Sequence, residues 1–205
     1  IRNYIEAQLA SGLVIGKDFF AVDIAQNDNS DYCTCRECMK VFSVEGSNSG
    51  AVVRFANRLS EELNEDYPGL YYQIFAYAGS NVAPLKTKPN EFVHITFCSD
   101  MNCSNHVFDG SECNGKSTFN QLTNKNYASW LESWCNVSDN VYVWFYALDS
   151  KLQQYTTIGN MYRDFRYFRD LGINGMFWQC QFYGLGIQRV QHQLLAEFQW
   201  NMDIS

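Results

Sequence analysis

Short runs rich in β-branched and aromatic residues, each followed by a polar loop and then by a helical period, recur five times along this chain. This alternation constrains the fold more than any single motif. The strand-like runs are 19–25, 71–77, 92–98, 141–146 and 175–179. A short helix over 3–10, ending at Gly12, precedes the first run. The helix after it covers about 49–65, with Val52, Phe55, Leu59 and Leu63 on one face and Pro68-Gly69 as its stop. Tyr127, Leu131 and Trp134 mark the next helix. Asn160 is the expected N-cap of another, with Met161, Phe165 and Phe168 inward and Gly172 at its end. Ile187, Val190, Leu194 and Phe198 mark the last.

Strands that are nearly continuous in apolar residues, alternating with helices, imply a parallel sheet covered by helices. Five units in 205 residues leave about three missing from a (β/α)₈ barrel, whose full set would need roughly 330 residues at this spacing. The expected fold is therefore α/β: the C-terminal five βα units of a TIM-like barrel, an incomplete barrel forming a single domain over 1–205. An open doubly wound sheet is disfavoured, because no glycine-rich phosphate turn follows the first strand.

The formal charge is −7, from 15 Lys and Arg against 22 Asp and Glu. A nucleic-acid groove and an anionic membrane surface both need a positive field and are excluded as partners. No stretch reaches the roughly 18 apolar residues of a membrane span. The start at Ile1 reads as a cut, with any export signal removed or never part of this segment. Aromatic residues make up 16% of the chain, a surplus that suits a concave site for a flat or sugar-like ligand. Neither an organic cofactor nor an oligomeric state is implied.

There are eight cysteines. Cys33, Cys35 and Cys38 form the one dense group, which could hold zinc with a fourth ligand from Cys98, Cys103 or His106. A disulfide or free thiols fit the spacing as well.

In a barrel the chemistry lies at the C-terminal strand ends and in the loops after them. Those positions carry Gln26-Asn27-Asp28, Tyr77, Cys98-Ser99-Asp100, His106, Trp144, Tyr146, Asp149, Trp178, Gln179 and Gln181. Glycoside hydrolysis uses two carboxyl groups, and Asp28 and Asp100 are the best-placed pair. Asn27, Tyr77, His106, Trp144, Tyr146, Trp178 and Gln179 are the candidate sugar contacts. Asp28 could instead simply open an Asx turn. Asp23 is expected in a structural salt bridge, His94 in the core, and His192 facing solvent. No serine elbow or zincin spacing occurs.

Several of these residues recur in order along one pattern: Gln26-Asn27-Asp28, Cys33/Cys35/Cys38, Glu45-Gly46, Ser49-Gly50, Arg54-Phe55, Asn57, Tyr67-Pro68, Ala76-Tyr77, Cys98-Ser99, Cys103 with His106, Val143-Trp144, Phe168, Gly172 and Gly175. From about Phe20 to Asp203 the chain resembles the domain of unknown function family 4838, which overlaps glycoside hydrolase family 163. The resemblance implies a (β/α)₈ glycosidase fold and an exported bacterial protein, whether secreted, periplasmic or on the cell surface. It also implies an endo-β-N-acetylglucosaminidase-like hydrolase of N-glycans. The chain departs from that pattern at Thr96, Met101, Phe145 and Trp178, where the family carries arginine, glutamate, aspartate and glutamate. A glycan-binding barrel without turnover is the alternative these departures raise.

Overall fold

The computed structural model describes residues 1–18, 21–29, 31–100, 102–103, 105–113, 123–146, 158–179 and 186–201. The protein is α/β, with an α-helix between successive strands as the periodicity predicts, except across 77–92, where a 3₁₀ turn at Ala78–Ser80 is the only helical element. Contacts group it into two compact units, one of Ile1–Phe97 with Asn136–Asn140 and one of Cys98–Cys135 with Val141–Ser205. Among the described residues no helix is long and apolar enough to cross a membrane.

The first unit holds α1 (Arg2–Ala10), β1 (Ala21–Asp23), α2 (Arg36–Glu45), α3 (Ser49–Asn64), β2 (Tyr71–Ala76) and most of β3 (Val93–Cys98). β1 pairs with β2 and β2 with β3, both in parallel. Neighbours in space are thus neighbours in sequence, the connectivity of a (β/α) barrel. A doubly wound sheet would reverse its strand order. Val22, Leu63, Tyr67, Leu70 and Tyr72 close with Ile5 of α1 into one apolar cluster between sheet and helices. Alternation along β2 buries Tyr72, Ile74 and Ala76 on that side. Tyr71, Gln73 and Phe75 therefore take the other side. There His94 of β3 stacks on Tyr71 with ring centroids 4.2 Å apart, and burial lowers its pKa. Asp23 lies beside Gln73, which pairs in turn with His94. Asp23 is exposed and enters none of the salt bridges among the described residues, so the expected structural ion pair is not its role.

Two local expectations for this unit need correction. The stretch after the cysteines is not all loop: it forms α2, ended by Gly46 in the left-handed region at φ 69°, where a residue without Cβ is favoured. The buried face of α3 is carried by Val53, Ala56, Ser60 and Leu63, whereas Phe55 is 53% exposed. Small residues turn inward there because polar side chains dock on the helix. Asn90 Nδ2 donates to Ser60 Oγ at 2.8 Å, and the Asn57 side chain binds both Asn90 N and Lys88 O.

The second unit holds α4 (Asn124–Cys135), β4 (Val141–Tyr146), α5 (Ile158–Asp170), β5 (Gly175–Gln179) and α6 (Gly186–Trp200), with β4 and β5 parallel. Met161, Phe165 and Leu195 form an apolar cluster between α5 and α6, with Met176 and Trp178 of β5 packed against them. Asn160 is the third residue of α5 rather than its cap. Leu194 and Phe198 of α6 pack against this cluster as expected, and Leu195 and Gln191 are buried beside them, whereas Val190 is 54% exposed. His192 is half-buried rather than facing solvent. Gly172 ends α5 at φ 79° as read from sequence.

Candidate functional site

In the first unit the loops after β1 and β2 are tied together side chain to backbone. Gln26 Nε2 donates to Tyr77 O at 2.8 Å, and Ser80 Oγ donates to Gln26 Oε1 at 3.0 Å. The same hydroxyl meets the Tyr77 and Phe75 carbonyls, so Ser80 organises the turn that follows β2. That turn holds Ala78 at φ 50°, a conformation non-glycine residues rarely adopt. Its cost is offset where the neighbouring hydrogen bonds over-determine the backbone. The result places the Tyr77 hydroxyl 2.7 Å from Asp28 Oδ1, to which it donates. The Asx turn in this loop belongs to Asn29, whose Oδ1 accepts from Asp31 N at 2.9 Å. Asp28 therefore does not serve as the turn former, and its carboxyl is left at the exposed end of the strand with Tyr77 orienting it. Asn27 is exposed beside it.

Further along the same loop, the donor atoms of Cys33, Cys35 and Cys38 lie within 4.8 Å of one another, and no disulfide joins them. Cys35 is the N-cap of α2. The backbone N–H of Cys38 and hydrogen bonds within the trio lower its thiol to about 7, while Cys38, hydrogen-bonded to Cys35 and Cys33, rises to about 11. One thiolate shared among three sulfurs can take a soft metal or an oxidant, so the alternatives read from spacing stay open here.

In the second unit, β4 and β5 present different sets of residues on their two faces. On one, Trp144 Nε1 donates to Gln179 Oε1 at 2.8 Å, Phe177 lies 4.2 Å from the Trp144 ring, and Tyr146 lies 6.4 Å from it. Ser99, fully buried, directs its N–H to Trp144 O at 3.3 Å. On the other face, Phe145 and Trp178 stack at 4.9 Å and 23°, with Phe168 and Phe165 of α5 against them. Trp178 is thus separated from Gln179 by the strand's two-residue period. It belongs to the layer under α5 and is parted from the other candidate sugar contacts of these strands, Trp144, Tyr146 and Gln179. Its Nε1 is buried and finds no partner among the described residues. Asp100 is half-buried and accepts a long 3.4 Å contact from Tyr127 Oη. His106 faces Cys103, with Nδ1 3.2 Å from Sγ. Met101, Asp149 and Gln181 lie outside the described residues, as do Phe19, Phe20 and Cys180.

Two buried carboxyl groups were not singled out by sequence reasoning. Glu45, with no exposed surface, accepts from Arg54 Nε at 3.1 Å, from the backbone N–H groups of Lys86 and Thr87 at 3.0 Å each, and from Thr87 Oγ1 at 2.6 Å. Burial alone would raise its pKa, but these donors outweigh it and hold the group at about 2. The juxtaposition of Glu45-Gly46 with Ser49-Gly50 was its only trace, since a Cβ at Gly50 would run into the Glu45 side chain. Asp164 lies 4% exposed on α5 and accepts from Phe108 N at 2.7 Å. Burial raises it to about 7 despite that hydrogen bond. Its place three residues after Met161, within the apolar stripe, was the available signal.

A groove of about 460 Å³, lined by Phe165, Phe168, Met176, Phe198 and Trp200 among others, opens beside Gly175. It sits at the start of β5, the opposite end from Gln179.

A family model described as a domain of unknown function, DUF4838, matches residues 2–205. No curated protein and no solved structure matches the chain.

Proposed function

The chain belongs to the DUF4838 family, and from that premise we propose that it is a glycoside hydrolase-like domain acting on β-linked N-acetylglucosamine-containing glycans. The observation that carries this reading is the 2.7 Å hydrogen bond by which Tyr77, just after β2, orients the exposed Asp28 carboxyl in the loop after β1. A positioned carboxyl group at a strand mouth is half of the pair that glycoside hydrolysis requires. Asp100, following β3, is assigned the other half. Trp144 and Tyr146 supply aromatic faces for pyranose C–H groups, and Gln179 and Asn27 supply amides for hydroxyl or acetamido groups. The substrate is carbohydrate, and an exported location suits a glycan outside the cell.

The test is incubation with a panel of N-glycans and β-N-acetylglucosaminides, with products read by mass. A defined fragment is expected from the wild type. Asp28→Asn and Asp100→Asn are each expected to lower its rate by at least ~10²-fold, the usual scale for a proton-transfer group. Wild-type rates in both folded variants would overturn the assignment.

The Phe145–Trp178 stack favours a second reading. Two aromatic rings occupy positions where the family pattern carries carboxylates, so the domain would bind glycan without cutting it. Because that face is turned to α5, glycan contacts in the second unit come from Trp144, Tyr146 and Gln179 under either reading. A glycan-dependent rise in melting temperature without product selects binding alone.

A further inference from the structure

A second cluster of metal-ligating side chains lies in the loop between β3 and α4. The donor atoms of Cys103, His106 and Cys113 come within 4.8 Å of one another, with Cys103 Sγ and His106 Nδ1 at 3.2 Å. Cys113 is 5% exposed, and the other two are half-buried. The three residues are separated by two and six others, so the chain must leave His106 and double back to bring Cys113 in. It does so at Asp109-Gly110. Asp109 Oδ1 accepts from Ser111 N at 2.8 Å, and Gly110 sits at φ 75°. A Cβ there would come within 2.5 Å of the Lys125 backbone, which presses the turn onto the start of α4.

One side chain holds the other arm. Asn124 has no exposed surface and turns its side-chain amide onto this loop. Its Oδ1 accepts from Cys103 N at 2.6 Å, and the two N–H bonds of its Nδ2 are shared among the carbonyls of Cys103, His106 and Val107 at 2.9, 3.1 and 3.0 Å. The backbone at two of the three donors is therefore clamped by a buried amide on an adjacent helix. The supporting shell of metal sites does the same work.

We propose that Cys103, His106 and Cys113 form a zinc site, with both thiols deprotonated, His106 bound through Nδ1, and the fourth position taken by water or a ligand from outside the trio. In tetrahedral zinc, Zn–S near 2.3 Å and Zn–N near 2.0–2.1 Å put neighbouring donors about 3.6–3.8 Å apart. The trio lies within 4.8 Å, so small side-chain adjustments reach that spacing, and the Cys103–His106 contact needs to open by about 0.4 Å. Two thiolates also cancel the dication, so the loaded site is neutral and can be buried at low desolvation cost. The two thiol protons pass to solvent on binding. The metal staples the loop that carries Asp100 into α4. It also takes His106 out of the set of glycan contacts; otherwise this site does not depend on the glycan reading.

The experiment uses the whole chain carrying Cys33→Ser, Cys35→Ser and Cys38→Ser, which removes the exposed trio as a competitor. The chain is stripped with chelator and titrated with zinc, then with cobalt(II). One equivalent of zinc per chain is expected, with a thiolate-to-cobalt charge-transfer band on cobalt loading. Cys103→Ser and His106→Gln should each weaken binding by at least ~10-fold. Zinc should also protect Cys103 and Cys113 of the otherwise wild-type chain from alkylation, a readout that needs no ligand variant to fold. Failure of the triple-serine chain to retain metal would overturn the site. So would unchanged zinc affinity in both ligand variants, or isolation of a Cys103–Cys113 disulfide as the native state.

Discussion

Replacing Glu45 by Gln tests the most densely bonded carboxylate in the described structure. The side chain is wholly buried and accepts from Arg54, from Thr87 Oγ1 and from two backbone N–H groups. Gln keeps the shape but replaces one acceptor oxygen by a donor and removes the charge. A fall in pKa from 4.5 to about 2 corresponds to ~3 kcal/mol at 1.36 kcal/mol per unit. Arg54 is 45% exposed, so part of that attraction is screened by solvent, and ~2 kcal/mol is the working figure. Because the folded-state pKa lies below the unfolded one, the stabilisation is complete above pH 4.5 and is lost as pH falls through about 2. Urea unfolding followed by tryptophan fluorescence at several pH values reads it directly. At pH 7 the variant should unfold ~2 kcal/mol earlier, a loss of ~4–8 °C in melting temperature for a chain of this size. The gap should shrink by more than half at pH 3. A deficit under ~0.5 kcal/mol at pH 7, within the range of ordinary surface substitutions, would refute the reasoning. So would a deficit that does not change between pH 7 and pH 3.

The same locked side chain makes Gly50→Ala costly, because the added Cβ meets Glu45; thermal melts should show ~1–3 kcal/mol of overpacking, partly relieved when Glu45 is shortened to Ala. Asp164 behaves oppositely to Glu45. Its pKa is raised from 3.8 to about 7, so wild-type stability falls as pH rises between those values. Asp164→Asn should therefore gain ~3 kcal/mol relative to wild type between pH 4 and pH 8, and parallel stability curves would count against a buried carboxyl. Tyr77→Phe removes the hydrogen bond to the exposed Asp28. Stability should change by less than ~1 kcal/mol while glycan turnover falls ~10-fold, and a folded variant with unaltered turnover would sink the positioning role.

Much of the architecture was legible because it is written in local periodicity. The strands over 141–146 and 175–179 appear with the bounds read from the sequence. The stripe Met161, Phe165 and Phe168 is buried as expected. Phase along a helix was less legible, since several faces of α3 have comparable apolar content. The side that faces inward is chosen by what docks on it: Asn90 reaching Ser60 brings Val53 inward and leaves Phe55 outside. The strand-end residues were legible as a list but not as the sets the strands sort them into. Trp178 and Gln179 are adjacent in sequence, yet the pleat sends the first under α5 and the second to Trp144.

What the sequence by itself determined is the alternation of five strands with helices, their parallel order and the strand ends at which polar residues gather. These follow from the periods of 2 and 3.6 residues and from turn chemistry, which act over a few neighbours. The partnerships were decided by tertiary structure alone: Asp28 with Tyr77, Glu45 with Thr87, Asp164 with Phe108, and Asn124 with the loop that gathers Cys103, His106 and Cys113. Each joins residues too far apart along the chain for any local pattern to encode. The last three exist because burying a polar group requires a partner, and only the packed chain brings one within reach.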